Sequence, residues 1–168
     1  SPSRSALLTG RFVTADSWHG NYRKGPLIGE VLQQAEYRTL WSGKNHSPVR
    51  PPERGFDRFY GFQGGACNYW NPGSQLRNGG NFPHIRAYEW MVDDRWVDEY
   101  VPSDPNYYMT DAITDNALAW LEEYRGEDRP VFLYLAYNAP HWPLHAKPSD
   151  IEKYQGVYDR GYGAVRQA

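Results

Sequence analysis

The sequence has only one cysteine, Cys67, in 168 residues. A single thiol excludes an internal disulfide framework and any zinc site made of several cysteines. There is also no bias of charge, since 18 lysines and arginines against 20 aspartates and glutamates leave a formal net charge of −2. Because nucleic-acid-binding domains carry a basic surplus, we expect no nucleic-acid partner. The longest apolar run, residues 131–136, is far too short to cross a membrane, and we expect no membrane span in this segment.

The two ends of the sequence lack the features of a natural start and stop. No initiator methionine, basic region or apolar signal-peptide core comes before the first predicted helix. Residues 164–168 have the composition of a helix that would continue beyond the last residue of the sequence. We therefore expect residues 1–168 to be an internal fragment, a single partial domain of a longer chain.

Aromatic residues are plentiful: 7 Trp, 14 Tyr and 6 Phe, beside 16 Gly and 13 Pro. Hydrophobic residues make up 40% of the chain, which is enough for a packed core. A chain of this composition is rich in loops and either buries many rings or presents them to a ligand.

Three helices are predicted. Ser1 and Pro2 begin the first, and Gly10 ends it. The second opens at Pro26, with apolar residues at helical spacing over 27–35. The third is capped by Thr110 and runs to about Tyr124. Its apolar stripe consists of Ile113, Ala117, Trp120, Leu121 and Tyr124.

The predicted strands point to the α/β class. Residues 37–41 form one strand, and residues 131–137 form a strand that we expect to be buried on both faces, as in a parallel sheet. A hairpin is predicted over residues 88–97 with Asp93 and Asp94 at its turn. Residues 44–83 are expected to be a long structured loop. The result is a mostly parallel sheet flanked by helices, with long loops.

Candidate site residues follow the two strands of the parallel sheet. Lys44 and His46 come after the first strand, and His141 comes after the second. Ligands gather beyond the carboxyl ends of such strands, where these side chains would bind and protonate an oxyanion. Arg4 lies in the first turn of a helix, where a cation opposes the helix dipole and suggests a use. The alternative is that these are solvated loop residues or partners of a distant carboxylate.

Three motifs, in order, resemble the formylglycine-dependent sulfatases of the alkaline phosphatase superfamily. Residues 2–11, PSRSALLTGR, resemble the signature Cys-x-Pro-Ser-Arg-x-x-Leu-x-Thr-Gly without its first residue. Residues 43–46, GKNH, resemble the family's Gly-Lys-Trp-His, and residues 139–143, APHWP, resemble its Pro-His element. Residues 36–39 and 55–62 are also similar to connecting segments of the family. The set covers nearly the whole chain and implies an arylsulfatase-like, alkaline-phosphatase-like domain.

The resemblance implies a mechanism. A Cys or Ser before Ser1 would be oxidised to formylglycine, whose hydrate attacks sulfur and releases the alcohol, with Ca²⁺ or another divalent cation assisting. Arg4 would hold the diol, and Lys44 would bridge the diol and the sulfate. His46 would take a proton so that sulfate can leave, and His141 would contact the sulfate and protonate the leaving oxygen. Nucleophile and metal ligands would lie outside this chain, so the chain alone is expected to be inactive.

Some residues depart from the family pattern or suggest other sites. Asn45 stands in place of a common Trp, and Glu36 in place of a common Gly, where a left-handed backbone would cost about 1 kcal/mol. Asp93 and Asp94 are interpreted as turn residues rather than a metal pair. Pro143 makes a zinc-binding helix across His141 and His145 implausible, and Cys67 is expected to be packed.

The resemblance also indicates partners. The substrate would be a sulfated small molecule or a sulfated carbohydrate, and maturation would need a formylglycine-generating enzyme. A periplasmic or secreted location is implied by the family only. Two other functions stay open: a phosphonate or phosphate ester hydrolase of the same superfamily, and a non-catalytic carbohydrate-binding module that would present its aromatic rings on an exposed platform.

Overall fold

A computed structural model describes residues 2–12, 25–47, 49–73, 90–97, 100–159 and 161. The helices are α1 (Pro2–Thr9), α2 (Ile28–Gln34), α3 (Met109–Glu123) and α4 (Pro148–Glu152). The strands are β1 (Arg38–Gly43), β2 (Arg58–Phe62), β3 (Trp90–Val92), β4 (Arg95–Val97) and β5 (Val131–Ala136). A short 3₁₀ helix covers Pro51–Arg54. Among these helices none is long and apolar enough to cross a membrane.

The five strands form one sheet in the order β4-β3-β2-β1-β5. Strand β1 lies parallel to both β2 and β5, with Thr39 opposite Phe132 and Leu40 opposite Arg58. Strands β3 and β4 form the predicted hairpin and pair antiparallel to β2. The predicted α/β fold with a mostly parallel sheet is confirmed. The carboxyl ends of β1 and β5 therefore lie at the same edge, where both candidate loops begin.

The sheet has a hydrophobic core on each face, and successive side chains of β1 point into the two cores in turn. Leu40 faces a cluster that includes Trp90 and residues of α3, whereas Trp41 faces a cluster that includes Leu8 of α1. Side chains alternate across a strand, and a sheet with helices on both faces needs an apolar residue at each position. The central position of β1 explains why its residues Thr39 to Gly43 are all buried.

The prediction of one long loop over residues 44–83 was wrong, because it contains strand β2. Phe59, Tyr60 and Phe62 of this strand are all buried. Since β2 is central in the sheet, both of its faces are covered and no polar-apolar alternation marks it. Residues 74–83 of the predicted loop and residues 88–89 of the predicted hairpin lie outside the described residues.

In this chain β5 is only partly buried. Val131 and Leu135 are 38% and 36% exposed. Among the described strands β5 is an edge strand, so it has a neighbour on one side only. An edge strand keeps more contact with solvent than a central one.

Helix α3 begins without the predicted cap. Tyr108 stands at the N-cap position, and Thr110 lies inside the helix. The N–H of Met109 donates to the backbone oxygen of Tyr69 at 2.8 Å, so a distant loop partners a group that a local cap would otherwise satisfy. Leu121, placed on the buried stripe, is 39% exposed.

The turn between α2 and β1 contains the left-handed residue expected there. Glu36 has φ 61°, and its carbonyl oxygen accepts a hydrogen bond from Arg129 Nε at 2.9 Å. Helix α2 itself begins at Ile28, two residues after Pro26, with the Glu30 carboxylate accepting the Leu27 N–H at 2.6 Å. This contact satisfies one backbone donor at the first turn and stabilises the helix start.

Candidate active site

The end of β1 holds the backbone of the candidate lysine between two other strands. Gly43 has φ 116°, and a Cβ built on it would lie 2.1 Å from the carbonyl oxygen of Ala136. The next N–H, that of Lys44, donates to this same oxygen at 2.7 Å. Asn45 N–H donates to the Phe62 oxygen at 2.9 Å. Only glycine allows this close approach, and the result is a rigid start for the loop.

The Lys44 side chain is buried, with 4% of the residue exposed. Its Nζ donates to the backbone oxygen of Gly65 and to Asn138 Oδ1, the latter at 3.3 Å. Burial, followed by the positive charge of Arg4, lowers the pKa of Lys44 to about 8. The group is therefore a buried cation at neutral pH, which attracts anions strongly because little water screens it.

His46 lies two residues further on, half-buried and with a left-handed backbone of φ 52°. Burial lowers its pKa to about 4, with further contributions from the positive charges of Lys44, Arg4 and His141. The imidazole is neutral at pH 7 and carries a lone pair that can accept a proton. Burial, together with the cationic surroundings, thus holds this base in its unprotonated form.

Arg4 reaches this edge from helix α1. Its Nε donates to the hydroxyl of Tyr134 on β5 at 3.1 Å. Its charge acts on the pKa of both Lys44 and His46, so the guanidinium lies near both. The packing of Leu8 in the same core cluster as Trp41 fixes the helix against the sheet.

His141 is the most exposed member of the group. Its N–H donates to the Asn138 backbone oxygen at 2.8 Å, and its own backbone oxygen accepts from the Tyr69 hydroxyl at 2.9 Å. The ring Nδ1 lies 2.7 Å from the Trp142 backbone oxygen. A carbonyl only accepts, so this contact assigns the Nδ1 proton and directs Nε2 away from the backbone.

The four predicted residues thus come from three separate segments to one edge of the sheet. After burial, the positive charges of Lys44, Arg4 and His141 contribute to the lowered pKa of His46. Chemically, the arrangement offers three cationic or hydrogen-bond-donating groups and one neutral base around a small volume. Such a set suits a tetrahedral anion whose charge is spread over several oxygens.

Two residues at this site were not predicted from the sequence. Asn138 contacts Lys44 through its side chain, and Gly65 contacts it through its backbone. Asn138 lies three residues before His141, so the Pro-His motif pointed to its segment. Nothing local marks Gly65, which is 21 residues from Lys44.

The other candidate groups are structural. Asp93 occupies the predicted turn, and its Oδ1 accepts from Arg58 Nε at 2.9 Å and from Phe59 N–H at 3.2 Å. Cys67 is buried as expected, and burial raises the pKa of its thiol. His145 accepts the Tyr69 N–H through Nδ1 at 3.3 Å, outside any helix. In the part of the chain that the structure describes, no three His, Cys, Asp or Glu residues are grouped so as to hold a metal ion.

Comparisons with known proteins agree with the sequence resemblance. The sequence model of the Sulfatase family matches residues 1–167. The arylsulfatase of Klebsiella aerogenes is 28% identical over 98% of this chain and 38% of its own length. The N-acetylgalactosamine-6-sulfatase of Canis lupus familiaris is 30% identical over 99% of this chain and 35% of its own length. The chain therefore spans between a third and two fifths of these relatives.

Solved structures show the same fold. The crystal structure of Ps i-CgsB in complex with k-i-k-neocarrahexaose has a TM-score of 0.72 and 30% identity, covering 95% of this chain and 38% of that one. The structure of BT4656 in complex with its substrate D-glucosamine-2-N,6-O-disulfate has a TM-score of 0.65, with 24% identity over 93% of this chain and 28% of that one. The chain belongs to the sulfatase family and has its alkaline-phosphatase-like α/β fold.

Proposed function

We propose that the protein containing this chain hydrolyses sulfate esters, with Arg4, Lys44, His46 and His141 as its anion-binding and proton-transfer groups. The observation that carries the proposal is the buried Lys44 ammonium and the neutral His46 at the end of β1, at the same edge where β5 leads to His141. A sulfate ester develops negative charge on its non-bridging oxygens in the transition state, and fixed donors stabilise that charge. Membership of the sulfatase family supports the same chemistry.

Sulfatases generally depend on formylglycine and a metal. Formylglycine, which we place at the residue before Ser1, supplies the nucleophilic hydroxyl, and the divalent cation, which we expect to be Ca²⁺, supplies a Lewis acid. Arg4 lies in the first turn of α1, and its guanidinium can donate hydrogen bonds to a hydroxyl group at the start of that helix. The described residues do not form a metal site, and we propose that the ligands of the cation lie elsewhere in the protein.

Arg4 and Lys44 bind the anion. Both are held by hydrogen bonds, Arg4 to Tyr134 and Lys44 to Gly65 and Asn138, so their charges are oriented before the substrate arrives. A bound sulfate adds negative charge, which raises the pKa of Lys44 from about 8 and keeps it protonated. Preorganised charge in a dry site needs little rearrangement during the reaction.

The two histidines divide the proton transfers. His46 is neutral before binding because burial, and then the surrounding cations, lower its pKa, and the negative charge of bound sulfate raises that pKa toward neutrality. A base is most effective when its pKa lies near the working pH. His141, which is exposed, would protonate the leaving oxygen through Nε2, the ring nitrogen that does not face the Trp142 carbonyl.

A sulfated carbohydrate is the substrate class we propose, ahead of other sulfated small molecules. The relatives include an N-acetylgalactosamine-6-sulfatase, and a similar structure contains an oligosaccharide. Trp142 follows His141 directly and is 41% exposed, which offers an aromatic face to a sugar ring. We further propose maturation by a formylglycine-generating enzyme and a periplasmic or secreted location.

The alternative functions receive less support. The named relatives are sulfatases rather than phosphate or phosphonate hydrolases. A binding module would present its rings on an exposed platform, whereas Trp41, Phe56 and Trp90 are fully buried in the two cores. The cluster of Lys, Arg and His at one edge fits the enzyme.

The test uses the full-length protein, produced together with a formylglycine-generating enzyme. We expect turnover of a chromogenic aryl sulfate and of a sulfated sugar, and a loss of about 10²–10³ in kcat for Lys44→Ala and for His46→Ala. Lys153→Ala is the matched control, since Lys153 is exposed and contacts only Asp150 among the described partners. The corresponding aryl phosphate is assayed alongside. Turnover of this phosphate ester but not of the aryl sulfate would overturn the proposed substrate. Full activity in both variants would overturn the residue roles.

A further inference from the structure

Asn138 lies where the Lys44 loop and the His141 loop meet. Its side-chain oxygen accepts a hydrogen bond from Lys44 Nζ at 3.3 Å, and its backbone oxygen accepts one from His141 N–H at 2.8 Å. The residue is only 4% exposed. One buried side chain and its backbone thus connect two of the residues to which we assign chemistry.

The orientation of the Asn138 amide follows from its partner. An ammonium group only donates hydrogen bonds, so the amide oxygen must face Lys44. The nitrogen Nδ2 is then buried, and it has no hydrogen-bond partner among the described residues. A buried amide nitrogen without a partner is destabilising. Packing alone would therefore favour an apolar side chain at this position. The hydrogen bond to Lys44 explains why the residue is an asparagine.

We propose that Asn138 is a positioning residue that holds the Lys44 ammonium so that one of its N–H groups points at the bound anion. The ammonium has three donors. Gly65 accepts from it and Asn138 accepts from it, which leaves the third donor for an anion oxygen. The identity of that anion rests on the proposed function, but the Lys44–Asn138 contact does not.

The neutral charge of Asn138 matters because of the groups that surround Lys44. Arg4 from α1, Cys67 from the segment after β2, and His46 on the same loop all face it. A carboxylate at position 138 would form a fixed ion pair with Lys44 and cancel its attraction for a substrate anion. An amide accepts the same hydrogen bond and leaves the positive charge available.

The contact is tested by NMR on the full-length protein with ¹³Cε-labelled lysine, and Lys44→Arg assigns the resonance. In the wild type Lys44 is expected to titrate near pH 8. The isosteric Asn138→Asp variant is expected to raise the pKa of Lys44 by about 1 or more, because a carboxylate favours the ammonium. Asn116→Ala removes an amide that, among the described residues, bonds the Ala112 oxygen on its own helix; it is the control and should leave the titration unchanged. An unchanged Lys44 pKa in a folded Asn138→Asp protein would overturn the proposal.

Kinetics test the positioning role separately. With an aryl sulfate we expect KM to rise about tenfold or more in Asn138→Asp, because the cation facing the anion is neutralised. A shifted Lys44 pKa with normal kcat and KM would overturn the positioning role. If the wild type turned over no sulfate ester, the proposed function would fail, and the NMR titration would still decide whether Asn138 holds Lys44.

Discussion

Gly65 lies against the edge of the His46 imidazole. A Cβ built on Gly65 would lie 3.0 Å from His46 Nε2, closer than ordinary van der Waals contact. The absence of a side chain at Gly65 therefore leaves room for the nitrogen to which we assign proton transfer, while the same residue's carbonyl accepts from Lys44. One backbone segment shapes the surroundings of both groups.

The first prediction concerns this contact. Gly65→Ala is expected to displace the imidazole and lower kcat about tenfold or more, because proton transfer depends on geometry. Steady-state kinetics on a sulfate ester would measure it. Gly126→Ala serves as control, since nothing lies within 4 Å of its Cβ position although its φ is +88°. That variant should lose about 1 kcal/mol of stability and keep its kcat. Equal kcat in the two variants would contradict the prediction.

The pH dependence of kcat/KM should follow the ionisation of Lys44 and His46, whose pKa values are both lowered. This kinetic parameter reports the pKa values of the free enzyme. His46 must be neutral, and burial keeps its pKa well below that of a free imidazole, so activity should fall only at distinctly acidic pH. Lys44 must be protonated, and its pKa of about 8 predicts falling activity above that pH. Lys44→Arg keeps the charge at high pH, so the alkaline limb near pH 8 should disappear in that variant. An alkaline limb that persists there would mean that another group causes it.

Gly43→Ala is expected to lower the free energy of unfolding by about 3 kcal/mol, since overpacking against backbone cannot be relieved easily. Its new Cβ would lie 2.1 Å from the Ala136 oxygen, at a backbone φ of +116°. Urea unfolding of the full-length protein measures the change. Gly10 also has a positive φ, +64°, but open space surrounds its Cβ position. Gly10→Ala therefore measures the cost of the left-handed backbone alone, about 1 kcal/mol. Equal losses in the two variants would show that the strand contact is unimportant.

Asp93 is expected to stabilise the hairpin without taking part in metal binding. Asp93→Ala removes the acceptor for Arg58 and for the Phe59 N–H, and should cost about 2 kcal/mol. Asp94→Ala, whose side chain is 79% exposed, should change stability by less than about 0.5 kcal/mol. Thermal unfolding and metal analysis of both proteins would decide, and a loss of bound metal in Asp93→Ala would contradict the turn assignment.

Local patterns were reliable where one segment determines its own structure. Pro2 at the first helical position and Gly10 after the last bound the first helix correctly. The hairpin turn at Asp93 follows from residues that favour turns. Strand β2 was missed because its burial comes from neighbours on both sides, and the start of α3 was misplaced because Tyr69 supplies the partner for the Met109 N–H.

For the site, the sequence by itself determined the family and the residue types, because three short motifs in order carry both. Only the tertiary structure decided how these groups behave. The lowered pKa of His46 arises from burial and from cations on three segments, and the orientation of Lys44 depends on Gly65 and on Asn138, which is 94 residues away. Burial and charge at one point are set by every segment that reaches it, and no local stretch of sequence contains that information.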